Sequence, residues 1–398
     1  MLPRLIAGAM LLMTVSLVQA VTDIEFSGSG FYTLATGKML GGTRSNVMDY
    51  NCPCFISDYA QAGVYDGRQN LQWSPDSKLG LQANVSYHNL SLAAQVVAHG
   101  ANGSADIEWL YGSYALNDKI TLQAGRQRLP MFYYSDVQDM GFILPWTHLP
   151  PGPYGWEAVN YNGLNLKYQD RWLGWQSSMD LLVGSESNKE SGYYKVTGYG
   201  RQSQSKIKWS HILGGDLSLS KDWLETRLVY VQSDTQQDSI SNGWDFDPTS
   251  PTYQTYAIPP GSINPAAKQQ IFGLTVNVDF QDWLLRTEFN QINHPGLGFT
   301  DHAELVAIGY RLDKWKPMLT WSEYRGTPVS SGLLPGAFPF PTTEQQTITL
   351  TLRYDLTNTS ALKVQYDSQT DHSDPAYRDY GYYLGSSRLL TFAYDKVF

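Results

Sequence analysis

The sequence predicts an all-β protein, a transmembrane antiparallel up-and-down β-barrel of about 16 strands, and three observations predict it. Ribbons of about ten residues alternate apolar and polar side chains along the whole chain. The connections between them are short and long by turns. The chain ends on an amphipathic strand closed by an aromatic residue, Phe398.

Alternation comes first because successive side chains of a strand point to opposite faces, so a strand with lipid on one side and water on the other must alternate. Leu79, Leu81, Ala83, Val85 and Tyr87 alternate with Gly80, Gln82, Asn84, Ser86 and His88. Phe272, Leu274, Val276, Val278 and Phe280 alternate with Gly273, Thr275, Asn277 and Asp279, and Ile348, Leu350, Leu352 and Tyr354 with Thr349, Thr351, Arg353 and Asp355. Ribbons this long are rare in soluble sandwiches, whose strands run nearer five or six residues. The pattern places strands at 23–34, 76–88, 90–99, 106–116, 119–128, 157–168, 172–183, 205–220, 223–233, 269–281, 283–293, 301–313, 315–326, 344–357, 360–369 and 387–398. An even count brings both termini to one side of the membrane.

The connections after even-numbered strands are tiny: Asn89, Asn117-Asp118, Gln169 to Arg171, Lys221-Asp222, Asp282, Lys314 and Asn358-Thr359. Those after odd-numbered strands are mostly long and rich in Gly, Pro, Ser, Asn and Asp, at 35–75, 129–156, 184–204, 234–268, 327–343 and 370–386. Only 100–105 and 294–300 are short. Short turns on one side and long loops on the other are how outer-membrane barrels are built, and a soluble β protein has no reason to keep that parity.

Residues 1–20 read as a secretory signal, with Arg4, an apolar stretch from Leu5 to Val18 and a small-residue end at Ala20. Residues 21–398 are then one barrel domain beginning at Val21. No second apolar run approaches 18 residues and mean hydropathy is −0.33, which excludes a helical membrane bundle. The net charge of −9 argues against a nucleic-acid partner. Cys52 and Cys54 are the only cysteines; in an oxidising compartment they are a possible disulfide stapling a loop, and a poor metal site without further ligands nearby. No cofactor or metal is expected.

Aromatic residues gather beside the strand ends, at Trp109, Tyr111, Trp172, Trp175, Trp209, Trp223, Trp283, Trp315 and Trp321, which reads as a girdle at the headgroup level. In the last strand Leu390, Phe392, Tyr394 and Phe398 share one face, with Lys396 the exception. That ending resembles the assembly signal of bacterial outer-membrane proteins. With the signal, the Gly125-Arg126 ending of the fifth strand and the long segment that follows it to Trp156, the whole mature chain resembles the Gram-negative outer-membrane porin family, general porin-like and of uncharacterised specificity. The resemblance implies export through the periplasm, the barrel-assembly machinery as a partner, and outer-membrane lipid and lipopolysaccharide as surroundings. It also implies a water-filled channel for passive diffusion of small hydrophilic solutes and ions.

In that family the loop after the fifth strand folds inward and narrows the channel. The matching segment here, 129–156, carries Phe132, Tyr133, Tyr134, Phe142, Ile143 and Trp146, too apolar for a loop lying in water; an inward fold onto the wall would bury them. Asp136 and Asp139 would then give the constriction negative charge. Facing them, strand parity puts Arg227, Arg286, Arg311, Arg353, Lys167 and Lys363 on the lumenal wall with Glu225, Asp279, Glu288, Asp355 and Asp367. Arg126 and Arg128 conflict with the alternation of Ile120 and Leu122 unless a bulge turns them inward.

Three other functions compete. A channel specific for sugars or small organic acids would use the loop aromatics as a sliding surface. An outer-membrane barrel enzyme needs a nucleophile beside a base, and the seven histidines are scattered with no Gly-x-Ser-x-Gly or His-Glu-x-x-His pattern. A plugged structural barrel lacks a plug, since strand pattern starts at Ile24. A homotrimer is common in the family, but the short loop at 100–105 offers little to latch onto a neighbour, which leaves a monomer open.

Overall fold

The computed structural model describes residues 23–47, 49–67, 70–197, 200–201, 205–239, 266–332, 341–374 and 385–398; the expected signal segment lies outside them. Sixteen strands form one closed antiparallel barrel. In order, they are Ile24–Gly42, Lys78–Tyr87, Leu90–His99, Ala105–Ala115, Ile120–Arg128, Asn160–Trp172, Trp175–Asn188, Ser205–Lys221, Leu224–Ser239, Ala267–Phe280, Trp283–His294, Phe299–Tyr310, Trp315–Pro328, Thr343–Thr357, Ser360–Asp371 and Ser387–Val397. Each pairs with its sequence neighbours, and the first closes the ring by pairing with the last, with Leu34 opposite Tyr394. Closure leaves no edge, so the backbone is satisfied strand to strand, the condition for crossing hydrocarbon.

The alternation resolves into two faces. On the fourteenth strand Ile348, Leu350 and Leu352 are exposed, whereas Thr347, Thr349 and Thr351 between them are buried. Leu79 and Leu81, Leu90 and Leu92, Phe272 and Leu274, and Leu362 and Val364 continue the exposed band around the wall. A continuous apolar belt of this extent is a lipid-facing surface rather than a wet one. Trp172, Trp223, Trp283 and Trp315 stand exposed beside the short turns, as a girdle should. Trp209 does not belong to it: a bulge between Ser210 and Leu213 turns its ring inward, where it is fully buried and donates to Glu157.

The short turns need backbone that doubles back within two residues, which demands positive φ. Asp222, at φ 52°, supplies it between the eighth and ninth strands, and an aspartate tolerates that conformation better than a branched residue. At the seam, Gly30 and Phe398 exchange backbone hydrogen bonds of 2.8 and 2.9 Å. A Cβ on Gly30 would stand 2.5 Å from the Phe398 ring, so the glycine makes room for the terminal aromatic.

The first strand exceeds its pattern the most. It runs past Leu34 to Gly42, with Gly37 opposite Thr391 and Met39 opposite Leu389. Its glycines, threonine and lysine read as loop, but the last strand provides the partner.

The loop after it carries two small hairpins, Ser45–Val47 with Tyr50–Cys52 and Phe55–Asp58 with Gly63–Tyr65. Cys52 and Cys54 are joined by a disulfide and buried with Tyr50 and Ile56 against Val196, on a short helix Gly192–Thr197 in the loop after the seventh strand. This first loop is a second inward element that the sequence did not announce.

Candidate functional site: a channel narrowed by an inward loop

The segment from Leu129 to Trp156 enters the barrel interior, and its apolar side chains pack on the sixth to thirteenth strands. Its apolar side chains explain why. Leu144 and Trp146 are buried with Tyr134 and Leu149 against Leu284, Leu305, Ala307 and Met318 of the eleventh, twelfth and thirteenth strands. Leu129, Met131 and Phe132 join a second cluster with Trp156, Trp209 and Val231. Ile143 alone of the expected aromatic and aliphatic set stays exposed.

Polar side chains of the wall then satisfy the loop's backbone, which has no regular partner of its own. Arg227 donates to the Phe132 carbonyl at 3.1 Å and pairs with Asp216 at 2.9 Å. Glu288 accepts from the Tyr133 amide at 3.0 Å and the Tyr154 hydroxyl at 2.6 Å, while Glu225 accepts from the Tyr133 hydroxyl at 2.7 Å. Arg353 donates to the Phe142 and Leu144 carbonyls and pairs with Asp355. Lys363 donates to the carbonyls of Gly141 and Trp146. Thr320 accepts from the Trp146 indole at 2.9 Å. A Cβ on Gly141 would lie 2.1 Å from an Asp395 oxygen, so only glycine lets the backbone approach that closely.

His148 is the hinge between the two inward loops. Its Nδ1 lies 2.9 Å from Asp76 at the end of the first loop and its Nε2 lies 3.2 Å from Asp367 on the fifteenth strand. Burial by itself disfavours the imidazolium, but the two carboxylates outweigh it and raise its pKa to about 10. For Asp76 the same pairing outweighs burial and holds the carboxyl below its ordinary range. The Phe55 ring of the first loop sits 5.4 Å from the imidazole.

The two loop aspartates divide. Asp136 is exposed, and among the described residues no cation closes on it. Asp139, expected to charge the constriction, is instead buried and paired with Arg128, with Lys78 at 3.3 Å and with His99 at 3.1 Å. Burial raises its carboxyl, but these partners pull it well below the usual range. Its charge fixes the loop in place rather than facing the lumen.

Arg126 and Arg128 also part company near Gly125, at φ 136°. Arg128 turns in to Asp139 and Glu108, whereas Arg126 lies along the wall, bonded to Glu186 and the Ile107 carbonyl, away from the loop. Arg286 and Arg311 converge on Asp279 instead of facing Asp136, and Arg311 sits just past the twelfth strand at the short-turn end. Strand parity put these side chains inside but could not reveal which would be consumed by the loop's carbonyls and which by each other. Asp58, Asp76 and Lys78 were missed because they belong to the unforeseen inward loop and its junction.

The result is a lumen with two unlike halves. On the thirteenth to sixteenth strands Thr320, Thr349, Gln365, Asp367, Thr391 and Asp395 are completely covered. On the second to seventh strands the inward residues Gln82, Asn84, Ser113, Gln123, Lys167 and Asp180 keep access to solvent. Where solvent reaches the lumen beside the loop, it therefore meets that polar wall.

No protein-family model and no curated protein matches the chain. Solved structures do. It is similar to the anion-selective porin of Comamonas acidovorans, at 12% identity and TM-score 0.55, over 94% of this chain and 100% of that one. It is similar to OmpF of Salmonella typhi, solved with daunomycin, at 12% identity and TM-score 0.53, over 94% and 98%. It is also similar to the trimer form of OmpT, an outer membrane protein of Vibrio cholerae, at 9% identity and TM-score 0.54, over 94% and 99%. The fold is thus that of the outer-membrane porins.

Proposed function

We propose that this chain is an outer-membrane porin, a water-filled channel for passive diffusion of small hydrophilic solutes and ions. One observation carries the reading: the inward loop covers the inward side chains of the thirteenth to sixteenth strands completely, while Gln82, Asn84, Gln123, Lys167 and Asp180 on the second to seventh strands stay partly open to solvent. A structural barrel would have both halves covered. The unpaired Asp136 on the inward loop leans the channel towards cations, since a charge in a narrow aqueous pore biases which ions enter. The trimeric OmpT neighbour is compatible with a homotrimer.

A second reading, a channel specific for sugars or small organic acids, is favoured by a crevice of about 80 Å³ where the loops meet, lined by Tyr59, Pro151, Tyr193 and Tyr324. Liposome swelling with sugars, amino acids and organic acids of graded size separates the two. Flux falling smoothly with solute size supports the general pore. Flux confined to one chemical class supports the specific channel, and no swelling with any solute removes both.

A further inference from the structure

Above the constriction, at the loop end of the third and fourth strands, three metal-ligating side chains converge: His99, Asp106 and Glu108, with one donor atom from each lying within 4.8 Å of the others. The sequence does not announce them, because they come from two strands and Glu108 owes its position to a bulge that leaves it unpaired between Ile107 and Trp109.

The imidazole is the informative member. Its side chain is 1% exposed, and its Nε2 stands 3.1 Å from the Asp139 carboxylate, which can only accept, so Nε2 carries the proton. That leaves Nδ1 as a buried nitrogen without a hydrogen-bond partner, on the Asp106 side of the ring. A proton on it would not repair this: Asp106 is 3.8 Å away, beyond hydrogen-bond length. A carboxylate behind a histidine whose other nitrogen faces further carboxylates is the arrangement that orients metal ligands.

The local charge agrees. Besides His99 itself, the carboxylates of Asp58, Asp106, Glu108 and Asp139 are met by Lys78 and Arg128, two permanent cations for four anions. With His99 neutral, as a metal ligand must be, the excess of negative charge is that of one divalent ion. Asn160 and Arg128 both approach the Oε2 of Glu108, leaving its other oxygen for the ion. Asp106, with 48% of its side chain exposed, gives a route in, and among the described residues it is held only by the Ser104 hydroxyl, from which it accepts at 2.7 Å.

We propose that His99 Nδ1, Asp106 and Glu108 bind one divalent transition-metal ion of the zinc type, with solvent completing the coordination. The nitrogen ligand selects zinc over calcium or magnesium, which take oxygen donors. Because His99 also holds Asp139, the ion would brace the inward loop against the wall.

The test is titration of the refolded, chelator-washed full chain in detergent with ZnCl2, by calorimetry and by equilibrium dialysis. The expected result is one saturable site per chain, lost in His99→Gln and weakened at least about tenfold in Asp106→Asn, with calcium in excess unable to compete. Asp106 is at the surface, so its variant folds even where His99→Gln disturbs the loop. Absence of saturable zinc binding, equal binding by Asp106→Asn, or displacement by calcium at similar concentration would each overturn the assignment.

Discussion

The ammonium of Lys363, on the fifteenth strand, lies 2.8 Å from the carbonyl of Trp146 in the inward loop and 2.9 Å from the Asp395 carboxylate, completely shielded from solvent. A buried lysine of this kind is a clasp: it holds loop backbone to wall and is itself neutralised by a neighbouring strand. Lys363→Met removes the donor and strands a buried carboxylate. Breaking one partner of such a pair costs about 3–5 kcal/mol, and here the loss falls on loop docking rather than on the barrel ladder. The expected outcome is an unchanged heat-stable barrel on gels with larger, noisier single-channel steps.

Trp146 reports on the same clasp from the apolar side. It is fully buried, and Trp146→Ala gives up its hydrogen bond to Thr320 and leaves a cavity worth about 3–5 kcal/mol. Limited proteolysis in detergent should then cut within 129–156 many times faster than in the unaltered chain, while the strands stay intact.

The loop aspartates should give opposite results. A unit charge about 10 Å from a passing ion in water is worth about 0.4 kcal/mol, a factor of about two. Asp136→Asn should therefore lower cation preference about twofold, read as a shift in reversal potential under a salt gradient, with the conductance steps unchanged in stability. Asp139→Asn should leave the preference nearly unaltered and instead destabilise the open level, because its charge is spent on Arg128, Lys78 and His99.

The two inward loops should also separate with pH. The His148 pKa is raised in the folded protein to about 10, so its contribution is complete below the ordinary histidine value of about 6.5 and is lost as pH rises through about 10. Asp76 is shifted down, so its contribution is complete above about 4 and is lost as pH falls below that. Current noise should be low between those limits and rise on either side of them. In His148→Gln the noise should be present already at pH 7, and a variant as quiet as the unaltered chain would show that this histidine does not hold the loops.

The wall was legible in the sequence because a period of two is enforced along every strand by lipid and water, so Ile348 to Arg353 announce their own orientation. The loop's inward fold was legible from its misplaced aromatic residues, with Trp146 the plainest. The pairing inside was not. Whether Arg353 meets a carbonyl, a carboxylate or a passing ion depends on contacts more than two hundred residues apart, such as Arg353 with Leu144, and strand parity carries no information about distance across the lumen. The first loop escaped notice for a related reason: Phe55 and Tyr65 lie among Gly, Pro and Ser residues that read as solvent-exposed connection, and only the pocket beside His148 gives them somewhere to go.

The central claim is an open polar passage between the inward loop and the second to seventh strands. Planar-bilayer recording of the refolded protein tests it most directly. Discrete, ohmic conductance steps that respond to Asp136→Asn in reversal potential are expected. A barrel that inserts without conducting, or conducts with a reversal potential indifferent to Asp136, would contradict it.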